Sequence, residues 1–273
     1  MVPMSDIALH FDGRPSGIPL VLLPAFPLDG RMFRGVRRLL DGWVITVDPP
    51  GFGDSAPPRA VAAHLGDRAT PSLETYARAL ARALDEAGAD RIVLAGVSIG
   101  GYTTMAFAEL FPERLAGIGL LDTKAEADDL DMQEYRLRMA DAVAADEPTG
   151  RYLAPLLDHV VSPYTKQERE ALFEHLAESF EQAPAAGIAW AQRAMAARPD
   201  RLDVLRRLRV PALVLRGEDD AVSSHAQMSA MAEALGTTLV EIPRAGHMAA
   251  AEDPEPVARA LADLWDRARA AAP

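Results

Sequence analysis

The chain has 273 residues, and 28 Lys+Arg against 40 Asp+Glu leave a net charge of −12. That length suits one large domain, or a domain with an insertion, and it buries a sizeable core without staples. The acidic balance argues against a nucleic-acid footprint and an anionic membrane surface, and the absence of cysteine removes disulfides, Cys-ligated zinc and thiol nucleophiles.

The opening stretch MVPMSDIALHFDGRPSG lacks a basic segment followed by a long apolar run, so no signal peptide is expected. The longest apolar runs, 18–27 and 92–97, fall far short of a membrane span. The expectation is a cytoplasmic protein whose partner is a small molecule, not nucleic acid or membrane. The sequence leaves the oligomeric state open.

Strands are predicted at 7–11, 20–23, 43–47, 92–96, 116–121, 212–215 and 239–242. The later ones are nearly continuous apolar runs, as strands covered on both faces should be. Amphipathic helices alternate with them. The stretch 73–87 puts Leu73, Tyr76, Ala77, Leu80 and Leu84 on one stripe, with Glu74, Arg78, Arg82 and Glu86 away from it. The stretch 256–271 repeats the pattern with Val257, Leu261, Leu264 and Trp265. This alternation predicts an α/β fold: a mostly parallel twisted sheet flanked by helices.

One stretch breaks the rhythm. From 124 to about 208 nothing reads as a strand, and helices are predicted near 126–144, 149–158, 165–180, 185–197 and 200–207. The predicted organisation is core 1–123, a helical cap or lid 124–202 inserted before the penultimate strand, and core 203–273. Ligands in open α/β sheets bind at the strand C-terminal edge, which such an insertion would cover. A merely decorative insertion is the competing view.

The most informative segment is Gly96-Val97-Ser98-Ile99-Gly100. It is G-x-S-x-G at the end of a predicted strand and the start of a predicted helix, the context a nucleophile elbow requires. The tight turn projects the serine hydroxyl at a helix N-terminus, whose dipole favours developing negative charge. The competing view is a glycine-rich turn with an incidental serine.

A serine hydroxyl needs a base. The six histidines are His10, His64, His159, His175, His225 and His247. Only His247, in Pro243-Arg-Ala-Gly-His-Met248, directly follows a strand, at the edge where Ser98 also emerges. A carboxylate should orient that imidazole. Glu218, Asp219 and Asp220 are adjacent after the penultimate strand. Asp220 is the choice, because a turn starting at Gly217 carries it toward the His loop. Asp219 and Asp122 remain as alternatives. For the oxyanion, the candidates are the backbone N–H groups of Ile99 and Phe26; Phe26 also suits a packing role. Trp190 and Met248 are candidate pocket walls. The loop Asp48-Pro-Pro-Gly-Phe-Gly-Asp54-Ser is given a structural role.

The segments LLPAFPLDGRMF, VDPPGFGDS, GVSIGG, RGEDD and AGHMAAAEDPE resemble the α/β-hydrolase superfamily, in correct order and spacing, over nearly the whole chain. The order Ser98, Asp220, His247 is that of this family. The lid region is similar to small bacterial carboxylic-ester and lactone hydrolases of the 3-oxoadipate enol-lactonase group. The resemblance implies a serine hydrolase working through a Ser-His-Asp triad and an acyl-enzyme, with no metal or organic cofactor. It also admits a small-molecule sensor or partner-binding protein on the same fold, and cofactor-free haloperoxidase or C–C hydrolase chemistry. One departure stands out: many relatives open the oxyanion loop with His-Gly, where this chain has Pro24-Ala25.

Overall fold

The computed structural model describes residues 6–67, 70–145 and 150–271. Its strands are β1 (Leu9–Asp12), β2 (Leu20–Leu23), β3 (Val44–Val47), β4 (Ile92–Val97), β5 (Leu115–Leu121), β6 (Ala212–Gly217) and β7 (Leu239–Ile242). They form one seven-stranded sheet in the order β1-β3-β2-β4-β5-β6-β7. Among the described residues the β1–β3 pairing is antiparallel and the other pairings are parallel. Strands β2 to β6 are buried along their whole length, as parallel strands between two helical layers must be.

The helices before the insertion are α1 (Arg34–Arg37), α2 (Pro58–His64), α3 (Leu73–Glu86) and α4 (Ile99–Leu110). Between β5 and β6 come α5 (Leu130–Ala145), α6 (Gly150–Val160), α7 (Pro163–Glu168), α8 (Glu170–Glu181), α9 (Ala185–Ala196) and α10 (Leu202–Arg207). Then follow α11 (His225–Leu235), α12 (Ala249–Glu252) and α13 (Pro254–Ala270). The apolar stripes of α3 and α13 are buried as their periodicity requires. Among the described residues, no helix is long and apolar enough to cross a membrane.

Register aligns the strand ends. Leu23 pairs with Gly96, Val97 with Leu121, Leu121 with Leu215, and Gly217 with Ile242. The residues that follow β4, β5, β6 and β7 therefore emerge together at one edge. The strand order reverses direction between β2 and β4, and such a switch point opens a crevice outside the strand C-termini.

Several predicted boundaries move. The first strand starts at Leu9, not at residue 7, because the backbone before it bonds to the loop after β3: Ala8 N–H donates to Ser55 Oγ and Ala56 N–H to Asp6 O, both at 2.9 Å. Helix α5 starts four residues later than predicted, where Asp129 caps it by accepting from Met132 N–H at 2.8 Å. The predicted helix 165–180 is two helices, α7 and α8, interrupted at Arg169, which has φ −133° and ψ 51°. The N-terminal end of the predicted helix 149–158 lies outside the described residues, and its remainder is α6.

The two ends of the inserted segment are clamped together. Asp128, whose side chain is fully buried, receives Arg198 through two hydrogen bonds of 2.5 and 2.8 Å. It also receives Arg136 at 2.7 Å and Lys124 at 3.4 Å. The Arg198 guanidinium lies 4.1 Å from the ring centre of Tyr102, on α4. Burial works to raise the Asp128 carboxyl, but Arg198 and Arg136 outweigh it and hold the group far below the usual carboxylate range. Breaking a buried ion pair leaves an uncompensated charge, at a cost of about 3–5 kcal/mol. Arg198→Ala is thus expected to lower neutral-pH stability by that order in denaturant titrations. Asp128 has a depressed folded pKa, so its contribution is complete above about pH 4 and declines as pH falls toward the folded value. An unchanged midpoint at pH 7 would refute the clamp.

Candidate active site

Ser98 sits between the last residue of β4 and the first of α4, with φ 54° and ψ −115°. A side chain at positive φ is strained by about 1–3 kcal/mol and is retained only where its surroundings over-determine it. Here they do. A Cβ on Gly96 would meet the Gly100 carbonyl at 2.2 Å, and one on Gly100 would meet Leu23 O at 2.3 Å. Only glycines allow the elbow to fold this tightly against the end of β2. Ser98 N–H donates to Leu121 O at 3.0 Å, and Thr123 Oγ1 donates to Ser98 O at 2.9 Å. Both peptide groups of the strained residue are thereby anchored to β5 and its exit.

His247 and Asp220 meet. His247 Nδ1 lies 3.0 Å from Asp220 Oδ1, and both side chains are buried. The same oxygen accepts from Val222 N–H at 2.8 Å and Ser223 N–H at 3.1 Å. Asp220 Oδ2 is buried without a hydrogen-bond partner. Burial works to raise the Asp220 carboxyl, but His247 and the two N–H donors hold it below the usual range.

The alternative carboxylates stand elsewhere. Asp219 is exposed. Asp122, fully buried with φ 44°, accepts from Gly217 N–H at 2.7 Å and Ala249 N–H at 3.3 Å. It ties the ends of β5 and β6 to the start of α12. Burial first, and then the charge of Asp220, push the Asp122 carboxyl well above the usual range. Two neighbouring buried carboxylates do not both ionise readily. The one bonded to His247 is the one that keeps its charge.

Ser98 reaches the same edge, but its hydroxyl makes no hydrogen bond among the described residues. Such contacts often tighten only when substrate binds. Phe26 lies in the loop after β2, which the elbow touches through Gly100 and Leu23. The Phe26 ring packs edge-on to Phe52, with centroids 6.4 Å apart. Ile99 is the first residue of α4, where the N–H has no partner within the helix.

A cavity of about 480 Å³ borders this loop and is lined by Pro27, Leu28, Phe52, Leu172, Leu176 and Ala251, among others. A larger one, about 770 Å³, lies between α2, α5 and α9 and includes Trp190 and Pro58. Trp190 packs edge-on to Tyr76 at 6.4 Å. Met248 is fully buried and lines neither cavity. Asp48 organises the loop after β3. Its oxygens accept from Gly30 N–H at 2.9 Å and Asp54 N–H at 2.8 Å, with His10 Nε2 at 2.8 Å. His10, Asp48 and Asp54 come close enough to share a cation, but the Asp48 oxygens are already engaged by those donors.

One residue escaped the sequence reading. Glu252 is buried beside the His247 loop and bonds to Gly246 N–H at 2.9 Å and Ser162 N–H at 3.0 Å. Its partners are remote or adjacent backbone groups, which leave no trace in side-chain pattern.

The alpha/beta hydrolase fold family matches residues 18–254. The chain is 34% identical to a thermophilic esterase from Thermogutta terrifontis, solved with malate bound. The TM-score is 0.88, over 96% of this chain and 94% of that one. An enol-lactonase from Burkholderia xenovorans LB400 superposes with a TM-score of 0.82 at 21% identity, over 95% of this chain and 96% of that one. The chain is also 29% identical, over 90% of its length, to the dihydrolipoyllysine-residue acetyltransferase component of the acetoin cleaving system of Pseudomonas putida. It spans 62% of that relative.

Proposed function

The chain belongs to the alpha/beta hydrolase fold family, and from that premise we propose that it is a serine hydrolase of small carboxylic esters or lactones. The observation that carries this reading is the buried 3.0 Å bond between His247 and Asp220, at the sheet edge where the strained Ser98 emerges. Ser98 Oγ attacks the substrate carbonyl while His247 Nε2 takes its proton. Asp220 holds the ring through Nδ1 and stabilises the imidazolium. The carbonyl oxygen becomes an oxyanion, met by the N–H groups of Ile99 and Phe26. Collapse breaks the ester C–O bond, and His247 returns its proton to the leaving oxygen. Water, deprotonated by His247, then releases the acid and restores Ser98. Apart from the ester and the water, every group in this cycle belongs to the chain.

Residues 124–202 act as a cap in this reading. His247 N–H donates to Val160 O at 2.9 Å, and Gly187 of α9 packs against Gly51 in the loop after β3. Both contacts join the insertion to loops at the strand C-terminal edge. The 480 Å³ cavity beside the Phe26 loop, lined by Leu28, Phe52 and Leu172 but also by Asp29, Arg31 and His175, and not by Ser98 or His247, falls in the size range of small-molecule sites, a size that favours short or medium acyl chains. Identity to the Thermogutta terrifontis esterase supports ester substrates.

The test is turnover of p-nitrophenyl esters of increasing acyl length. Short and medium chains are expected to be hydrolysed, and long ones such as palmitate poorly. Saturable ester binding with no turnover at any length would instead favour a sensor or binding role.

A further inference from the structure

His247 is gripped from two sides. Asp220 holds the ring, and the corner between α6 and α7 holds the backbone. His247 N–H donates to Val160 O at 2.9 Å. The preceding residue, Gly246, donates to Glu252 Oε1 at 2.9 Å, and the other oxygen, Oε2, accepts from Ser162 N–H at 3.0 Å. A Cβ on Gly246 would lie 2.7 Å from Ser162 N and 2.8 Å from Val160 O, so the corner sits directly on this glycine. Arg169, at the α7–α8 break, donates to the Glu252 carbonyl. The Arg244 guanidinium stacks 4.5 Å from the centre of the Tyr164 ring.

We propose that Glu252 is a positioning residue that clasps the His247 loop to the inserted helices, so that the 160–169 corner sets where the base stands. This rests on His247 being the base. The chemistry of the clasp explains why a carboxylate is needed. Two backbone N–H donors, one from each side of the interface, require two acceptors and no donor. Glutamine has the same shape but turns an NH2 group toward one of those donors. With one bond lost, the loop is free to shift relative to the corner. A misplacement of about 1 Å at a reacting group costs roughly 10²-fold in rate. Substrate binding should change little, because Glu252 is buried and lines neither cavity described above.

The experiment uses the full chain and p-nitrophenyl acetate, comparing wild type with Glu252→Gln, Ser98→Ala and the buried control Val257→Ala. Glu252→Gln is expected to stay folded by circular dichroism and to lose about 10- to 100-fold in kcat, with KM within about twofold. Its labelling by a fluorophosphonate should slow by the same factor. Val257→Ala should lose stability without that kcat loss. A folded Glu252→Gln with wild-type kcat, beside an inactive Ser98→Ala, would overturn the clasp alone. An active Ser98→Ala would instead overturn the triad on which it rests. If Glu252→Gln does not fold, Glu252→Asp decides by the same measure. It keeps two acceptor oxygens on a shorter arm that cannot span the Gly246 and Ser162 donors together, so the same kcat loss is expected, and wild-type kcat in a folded Glu252→Asp would overturn the clasp.

Discussion

Ser98→Ala is expected to cut kcat on the best ester by about 10⁵- to 10⁶-fold, with stability within about 1 kcal/mol of wild type. The first expectation follows from chemistry. Ser98 directly follows β4 and opens α4 at the sheet edge where the His247–Asp220 pair also stands, with the positive φ of a sharp strand-to-helix turn. The second follows from geometry. The Ser98 hydroxyl makes no hydrogen bond among the described residues, and the bonds that hold the elbow use its backbone N–H and carbonyl. Alanine keeps both and inherits the same φ of 54°. Some rate above that in water should survive, from the oxyanion donors and binding. Steady-state kinetics and a denaturant titration on one preparation check both halves. Activity near wild type would remove Ser98 from the mechanism.

Asp220→Ala is expected to lower kcat by about 10⁴-fold, and Asp220→Asn by only roughly 10²-fold. The difference comes from one oxygen. Asp220 Oδ1 takes three contacts: His247 Nδ1, Val222 N–H and Ser223 N–H. Oδ2 has no partner. An asparagine placed here would set its carbonyl at the Oδ1 position, where all three donors need an acceptor. Its NH2 would occupy the Oδ2 position. The ring keeps its orientation and its Nδ1–H, and only the charge that stabilises the imidazolium is lost. A bond to a charged group contributes about 1.5–3 kcal/mol, which is one to two powers of ten in rate. Alanine leaves all three donors buried and unpaired. Asp122→Asn provides the contrast, because Asp122 is held by Gly217 and Ala249 N–H and touches His247 through neither oxygen. If Asp122→Asn were the more damaging asparagine variant, the acid would be misassigned.

The sheet was legible because its signals are local. Runs such as Val93-Leu94-Ala95 and Ile118-Gly119-Leu120 are buried on both faces and carry their own apolar pattern. The elbow was legible because glycines flank a serine at a strand end. His247 and Asp220 followed from their places after β7 and β6. What stayed hidden depended on contacts distant in sequence. The break at Arg169 has neither glycine nor proline to announce it, and its side chain reaches Glu252. Helices α1, α2 and α12 are four to seven residues long, too short for a 3.6-residue period to emerge. Glu252 reads as one more acidic residue in AAAEDPE, and only the partner at Ser162 shows why it is buried.

The most direct test of the central claim is covalent. The protein, its Ser98→Ala variant and its His247→Ala variant are treated with a fluorophosphonate, digested and mapped by mass spectrometry. The expected result is one phosphonyl adduct on the peptide containing Ser98 in the wild type. Ser98→Ala should carry none, and labelling of His247→Ala should be slowed by orders of magnitude. An adduct on another residue, or labelling of Ser98 that is indifferent to His247, would contradict a nucleophile activated by this histidine.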